Sequence, residues 1–326
     1  MNKLNLTPDI LQNMILNSMP NANPSPNLNE PNPNPNPNPI FNPTTLDPKY
    51  KKMLVNQTIS NTKIGLYQSL PKPKTIGFQY QPNYNPSSIN NICMVNVVYE
   101  HSLDLVERYA DIGTDLTQTN GLNPAIMNVV GSDFNGTSFD NDIRDDMINL
   151  RTTFNNSVGS SNPYPMKETE CVHSRMIYEI RDPYKGFLPW DKITRFSLIT
   201  VSPIKQPTLL NESQMYSEYY IKTCAKIETF FQTAIAGNNS ILILTPFGDK
   251  QDGNPQDDII KIYNYCIFKY GHKFKEILIA IPKYYPVLVF DKYNNNIIRL
   301  NNIVEHVDMA HDKLEMERNL KNRFTN

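Results

Sequence analysis

The sequence is poor in the residues that announce most chemistries. Its 326 residues hold four cysteines, Cys93, Cys171, Cys224 and Cys266, and none forms a CxxC pair. That spacing excludes a zinc knuckle and a disulfide framework, and it fits a reducing compartment, cytoplasmic or nuclear. There are five histidines. Two of them, His306 and His311, stand five residues apart, whereas a metal-binding pair on a helix needs four, so no metal site and no cofactor are expected. Charge of either sign is not in excess, with 31 basic against 32 acidic residues, and this removes any general attraction to nucleic acid or to an anionic membrane. Long apolar runs are missing too. None approaches the roughly 18 residues that span a bilayer. In residues 1–19 the apolar positions Leu4, Leu6, Ile10, Leu11, Met14 and Ile15 are interrupted by Asn and Asp, so the segment reads as a short docking helix and not as a signal peptide.

Proline and asparagine are abundant instead. Between Pro20 and Pro48 lie ten Pro and nine Asn, including the repeat PNPNPNPNP. Such a tract has almost nothing apolar to bury, so residues 20–87 are expected to form an extended or disordered arm. Within them the basic stretch DPKYKKMLVNQ reads as a solvated segment.

From residue 88 onward the pattern changes. ICMVNVVY, AIMNVV, FSLITVS, ILIL and EILIAI read as strands, and SLDLVERYADI, QMYSEYYIKTCAKIETFFQTAIAG and IIKIYNYCIF read as amphipathic helices. KETECVHSRMIYEIRD is also expected to be a helix, with Cys171, Arg175 and Tyr178 or Val172, Met176 and Glu179 marking its faces. On that reading Cys171 and His173 point to different sides and cannot form a nucleophile–base couple. The polar stretch Gly131 to Pro165 carries a helix around Asp142 to Leu150, Trp190 sits in a packed Pro-rich loop, and Tyr216, Tyr219 and Tyr220 belong to a core face. Strands alternating with helices at this spacing predict a three-layer α/β domain over residues 88–290, with both faces of the sheet covered. A charged helix is expected over 291–326.

The loop TPFGDKQDGNPQDD, after ILIL, is the candidate for chemistry. Gly248 and Gly253 are spaced as in a phosphate-binding P-loop, but Asn254 and Pro255 stand where the Lys and Ser/Thr are required, which rejects a Walker-type NTPase. A calcium loop fails because DKQDGNPQDDII ends on Ile where a bidentate Glu is needed. What remains is a strand-to-helix loop at which unpaired N–H groups and the helix dipole favour an anion. Asn254 is expected to cap the following helix, with Pro255 at its first position. Asp249 and Asp252 would face that anion, and like charges about 5 Å apart cost about 3 kcal/mol at an effective dielectric near 20.

FSLITVSPIKQPTL, a Tyr-rich helix, and LILTPFGDKQDGNPQDDIIKIYNYCI ahead of FKEILIAIP resemble the distal half of the microbial-type poly(ADP-ribose) glycohydrolases, a branch of the macrodomain fold. NICMVNVVYEHSLDLVERYADIG and PAIMNVVGSD resemble that family's earlier strands and first helix, and the likeness runs in order over about 90–285. It implies a macrodomain-like mixed sheet, with ADP-ribose or an ADP-ribosylated protein as partner and contacts from Asn128, Gly131, Gly248, Gly253 and Asn254. The family's triple-glycine loop has no counterpart in GSDFNG or VGSSNPYP, and Lys167, Glu168 and Thr169 stand where its Gln-Glu-Glu is sought. Glu168 and Glu170 are then the candidate catalytic carboxylates, displaced from the expected position. A catalytically degenerate protein is the expectation. The alternative is an assembly component, for example of a virion, that binds protein partners through residues 1–50 and 302–324.

Overall fold

The computed structural model describes residues 47–64, 70, 74–84, 93–109, 123–130, 148, 150–154, 164–182, 187–249 and 252–298. Its elements in chain order are α1 (Pro48–Ile64), β1 (Lys74–Gln79), β2 (Met94–Val98), α2 (Ser102–Val106), β3 (Pro124–Val129), β4 (Glu170–Asp182), β5 (Leu188–Val201), the small hairpin β6 (Leu209–Asn211) and β7 (Gln214–Met215), α3 (Ser217–Ala236), β8 (Ile241–Leu244), α4 (Gln256–Tyr270), β9 (Glu276–Ala280) and α5 (Val287–Asn296). A seven-stranded mixed sheet runs in the order β1-β4-β5-β3-β8-β9-β2. β5, β3, β8, β9 and β2 are parallel, and β4 runs antiparallel to both β5 and β1.

Period-two alternation within the strands builds the layers. Ala125, Met127, Val129, Leu242, Leu244, Ile277 and Ile279 face one core with α3 and α4, where Ile227, Phe230, Phe231, Ile259 and Tyr263 meet them. Ile126, Ile243, Leu278, Ala280 and Leu198 face the other, with Leu54 and Val55 of α1 and Leu103, Leu105 and Val106 of α2. β3 and β8 are buried along their whole length, as the unbroken apolar run of ILIL predicts. Each large side chain sunk into these layers, such as Phe231 or Phe274, removes apolar surface worth about 1.5–3 kcal/mol.

The structure corrects several expectations. ECVHSRMIYEIRD is the strand β4, not a helix. A bulge between Ser174 and Ile177, where Met176 takes φ 59°, inserts an extra residue and resets the alternation. Val172 and Ile177 therefore share a face at a spacing of five, which breaks the two-residue period of a regular strand. The boundary at residue 88 is too late. The basic stretch forms α1, whose Leu54 and Val55 are buried, and β1 is a strand of the main sheet paired with β4. Trp190 falls within β5, not a loop. Tyr216 is about half exposed, at 49%, so it does not belong to the core face, while Tyr219 and Tyr220 pack partly against it. Of the helix expected around 142–150, Ile148 and Leu150 are described and helical. Residues 1–46 and 299–326, with both proposed partner-binding segments apart from 47–50, lie outside the described residues, and 291–296 belong to α5. No helix among the described residues is long and apolar enough to cross a membrane.

Candidate functional site

The parallel strands end together, and the loops that leave β5, β8 and β9 gather at that edge of the sheet. After β8, residues 245–249 and 252–255 turn back into α4. Thr245 offers its carbonyl to the buried hydroxyl of Tyr263, which fixes the loop's exit from the strand. Gly248 and Gly253 both take positive φ, 62° and 71°. At Gly248 the space is closed as well, since an added Cβ would collide with the Asn254 amide and come 2.8 Å from Cβ of Pro203.

Asn254 does not cap α4. Pro255 occupies the cap position without a side-chain bond, and Asn254 is spent on fastening two loops together. Its Nδ2 donates to the carbonyls of Gly248 and Ile204, each at 2.8 Å, and its backbone N–H donates to Gly248 O at 2.8 Å. The Gln206 N–H donates to Asp252 O at 2.6 Å and completes the clamp between the β5 and β8 loops. A helix-capping asparagine and a loop-fastening one look alike in sequence. The carbonyls of a second loop decide between them.

The two aspartates differ from the expectation that both face an anion. Asp249 is 2% exposed and its Oδ1 accepts from the hydroxyl of Tyr285, at 2.9 Å, from the segment following β9. Burial raises the hydroxyl pKa values of Tyr263 and Tyr293, and the nearby Asp249 adds to both shifts, so these phenols stay protonated around the carboxylate. Asp252 is also buried, at 8% exposed, while Gly253 is exposed. The first-turn acids of α4 are engaged as well. Asp257 pairs with Lys292 at 2.9 Å, and Asp258 accepts from the Met215 N–H at 2.6 Å and pairs with Lys261. The N-terminus of this 15-residue helix thus meets carboxylates that already have partners of their own.

Of the other candidates, Asn128 lies at the centre of the sheet on β3, 4% exposed, and its Nδ2 donates to Thr200 Oγ1 at 3.2 Å on β5. Gly131 lies outside the described residues. Glu168 sits on the turn into β4 and Glu170 is the first residue of that strand, at the same edge of the sheet as the loop but three strands from β8, about 14 Å at the usual strand spacing. The Glu168 carboxylate is 62% exposed and pairs with Lys222 at 3.2 Å, while its carbonyl accepts from the Lys226 ammonium. Glu170 accepts from the Lys167 N–H at 2.9 Å and lies against Gly77 of the outer strand β1. Their side chains are held by α3 and by β1, away from the clamp.

Cys171 and His173 share one face of β4, where the helical reading put them on different sides. Both are buried, burial raises the thiol, and burial lowers the imidazole to about 4 with help from Arg175. A raised thiol beside a neutral imidazole makes no thiolate. An acidic run follows β3 in the sequence. Asp140, Asp142, Asp145 and Asp146 lie in the connection that leaves β3, the immediate neighbour of β8. They fall outside the described residues, and the signal for them is their place after a central strand.

No protein-family profile matches the sequence. No curated protein matches it either. Solved structures do. Over 76% of this chain and 100% of the other, it superposes on poly(ADP-ribose) glycohydrolase from Thermomonospora curvata with a TM-score of 0.59 at 11% identity. The same enzyme bound to the inhibitor ADP-HPD gives 0.56 at 11% identity, covering 76% of this chain and 99% of the other. The glycohydrolase from Deinococcus radiodurans in complex with ADP-ribose gives 0.52 at 10% identity, over 77% of this chain and 92% of the other. The strand order, the two covered faces and the loop between β8 and α4 therefore belong to a chain with the fold of the microbial poly(ADP-ribose) glycohydrolases.

Proposed function

We propose that the protein is a macrodomain-type module for ADP-ribose or ADP-ribosylated protein, and that Glu168 and Glu170 do not cut the glycosidic bond. The observation that carries this reading is the clamp of Asn254 on Gly248 and Ile204, which fixes a glycine turn at the N-terminus of α4 while Asp249 turns to Tyr285. A diphosphate at Gly253 meets backbone and a helix dipole, with Asp249 and Asp252 both buried and Asp249 bound to a tyrosine. Hydrolysis needs an acid within about 3 Å of the leaving oxygen. Glu168 and Glu170 are committed to lysines, backbone and the β1 edge, and this supports binding without their chemistry.

Calorimetry of the full chain with ADP-ribose, together with release of ADP-ribose from a poly(ADP-ribosyl)ated protein, tests both halves. Micromolar binding without turnover is the expected result. Absence of binding at millimolar ligand overturns the reading and leaves the scaffold as a protein-docking domain. Turnover that survives Glu168→Gln with Glu170→Gln but disappears in Asp145→Asn with Asp146→Asn would make the chain an enzyme, with its acid on the connection after β3.

A further inference from the structure

Residues 74–84, KTIGFQYQPNY, cross the outer edge of the sheet and the face of α3 and α4 without sinking a side chain into either. None of them is buried, and Ile76 is 57% exposed, whereas β3 and β8 of the same sheet are buried at every residue. Backbone holds the segment instead. β1 pairs residue for residue with β4, from Lys74 opposite Arg175 to Gln79 opposite Glu170. Gly77 lets it approach closely, since a Cβ there would overlap the Glu170 carboxylate.

Glu170 is the first residue of β4, so beyond Gln79 the partner strand ends and a side chain takes over its part. The Gln81 N–H donates to Gln232 Oε1, and Gln232 Nε2 donates to Gln81 O, each at 3.0 Å. One amide on α3 thus meets both backbone groups of a single residue, as a residue of a neighbouring strand does. Two tyrosines flank this contact. The Tyr80 hydroxyl donates to Glu228 Oε2 at 2.8 Å, and the Tyr84 ring lies 6.4 Å from that of Tyr270. Gln81, Pro82 and Asn83 between them are exposed.

The surface underneath is built on other bonds. Glu228 is 4% exposed, and Gln232 and Tyr270 are fully buried. Gln232 Nε2 also donates to the Tyr270 hydroxyl at 3.2 Å, and that hydroxyl donates to Glu228 Oε1 at 3.0 Å, where Lys269 binds as well. These contacts do not pass through residues 74–84, so the surface keeps its shape without them. Main-chain pairing at a sheet edge, with pockets for a few side chains, is how proteins accept an extended peptide. We propose that the β4 edge and the α3–α4 surface form a strand-accepting peptide site. Its ligand is an extended Tyr-x-x-x-Tyr peptide, with a residue other than proline after the first tyrosine because Gln232 needs that N–H. Residues 74–84 occupy the site in cis and compete with such a partner as a tethered ligand.

The test uses the full chain and a fluorescent peptide of sequence KTIGFQYQPNY. Anisotropy should show the peptide binding the Tyr80→Ala, Tyr84→Ala double variant about tenfold or more tightly than the wild type, whose own segment fills the site. The same peptide carrying Gln81→Pro should not bind. Absence of binding to the double variant overturns the proposal, as does equal binding of the Gln81→Pro peptide. Hydrogen exchange in the wild type decides the case in which the double variant does not fold. Amides of residues 74–84 should exchange about a hundredfold faster than those of β3 and β8, and equal protection would make the segment part of the core and overturn the proposal.

Discussion

Two buried glutamates on opposite faces of one sheet are satisfied in different ways. Glu228 of α3 is 4% exposed and accepts from the hydroxyls of Tyr80, Tyr265 and Tyr270 and from the Lys269 ammonium, which also lies over the Tyr265 and Tyr270 rings. The Glu179 carboxylate of β4 has a single partner among the described residues, Arg151, and shares it with Asp104. The first carboxylate, on α3, gathers donors from the exit of β1 and from α4. The second competes for one cation. A buried carboxylate that is rich in donors ties several elements together, and one poor in donors depends on a single cation.

Arg151→Met should break this contrast most severely. It leaves the buried Glu179 carboxylate without its guanidinium, and the expected loss is about 3–5 kcal/mol in urea unfolding at neutral pH. A loss below 1 kcal/mol would mean that water reaches the cluster. Glu228→Gln should cost less, about 1–3 kcal/mol, because the shape survives but the charge that meets Lys269 and one of the two acceptor oxygens are lost. Equal stability of the variant and the wild type would show that the tyrosines turn away at little expense. The smallest effect is expected in the loop. Asp249→Asn keeps an acceptor for Tyr285 and removes the charge, so ADP-ribose affinity should rise less than threefold. A gain of tenfold or more, about 1.4 kcal/mol, would place the carboxylate at the ligand and contradict its commitment to Tyr285.

Much of the fold could be read from the chain. The alternation in AIMNVV, the unbroken run ILIL and the helix ending at Gly237 appear where the residues place them. β4 could not be read in this way, because its bulge at Met176 breaks the period on which the reading depends. α1 and β1 were hidden behind a Pro-Asn tract, whose composition says nothing of residues beyond it. At the site, the glycines and Asn254 were identified correctly as features of a strand-to-helix loop. The role of Asn254 was not, since a cap uses the amide oxygen to accept a backbone N–H and the clamp uses the amide nitrogen of the same side chain to donate to carbonyls.

The sequence alone determined the layering and the position of the glycine loop, because both follow from local periodicity and from backbone freedom at single residues. It also determined what the loop could not be, since a missing lysine or glutamate is visible without coordinates. Tertiary structure decided where each charge points. Asp249 turns to Tyr285 from beyond β9, Arg151 reaches Asp104 and Glu179 from separate elements, and Glu168 meets α3. These partners lie tens of residues apart in the chain, and only folding brings them within the few ångströms at which desolvation and Coulomb attraction act.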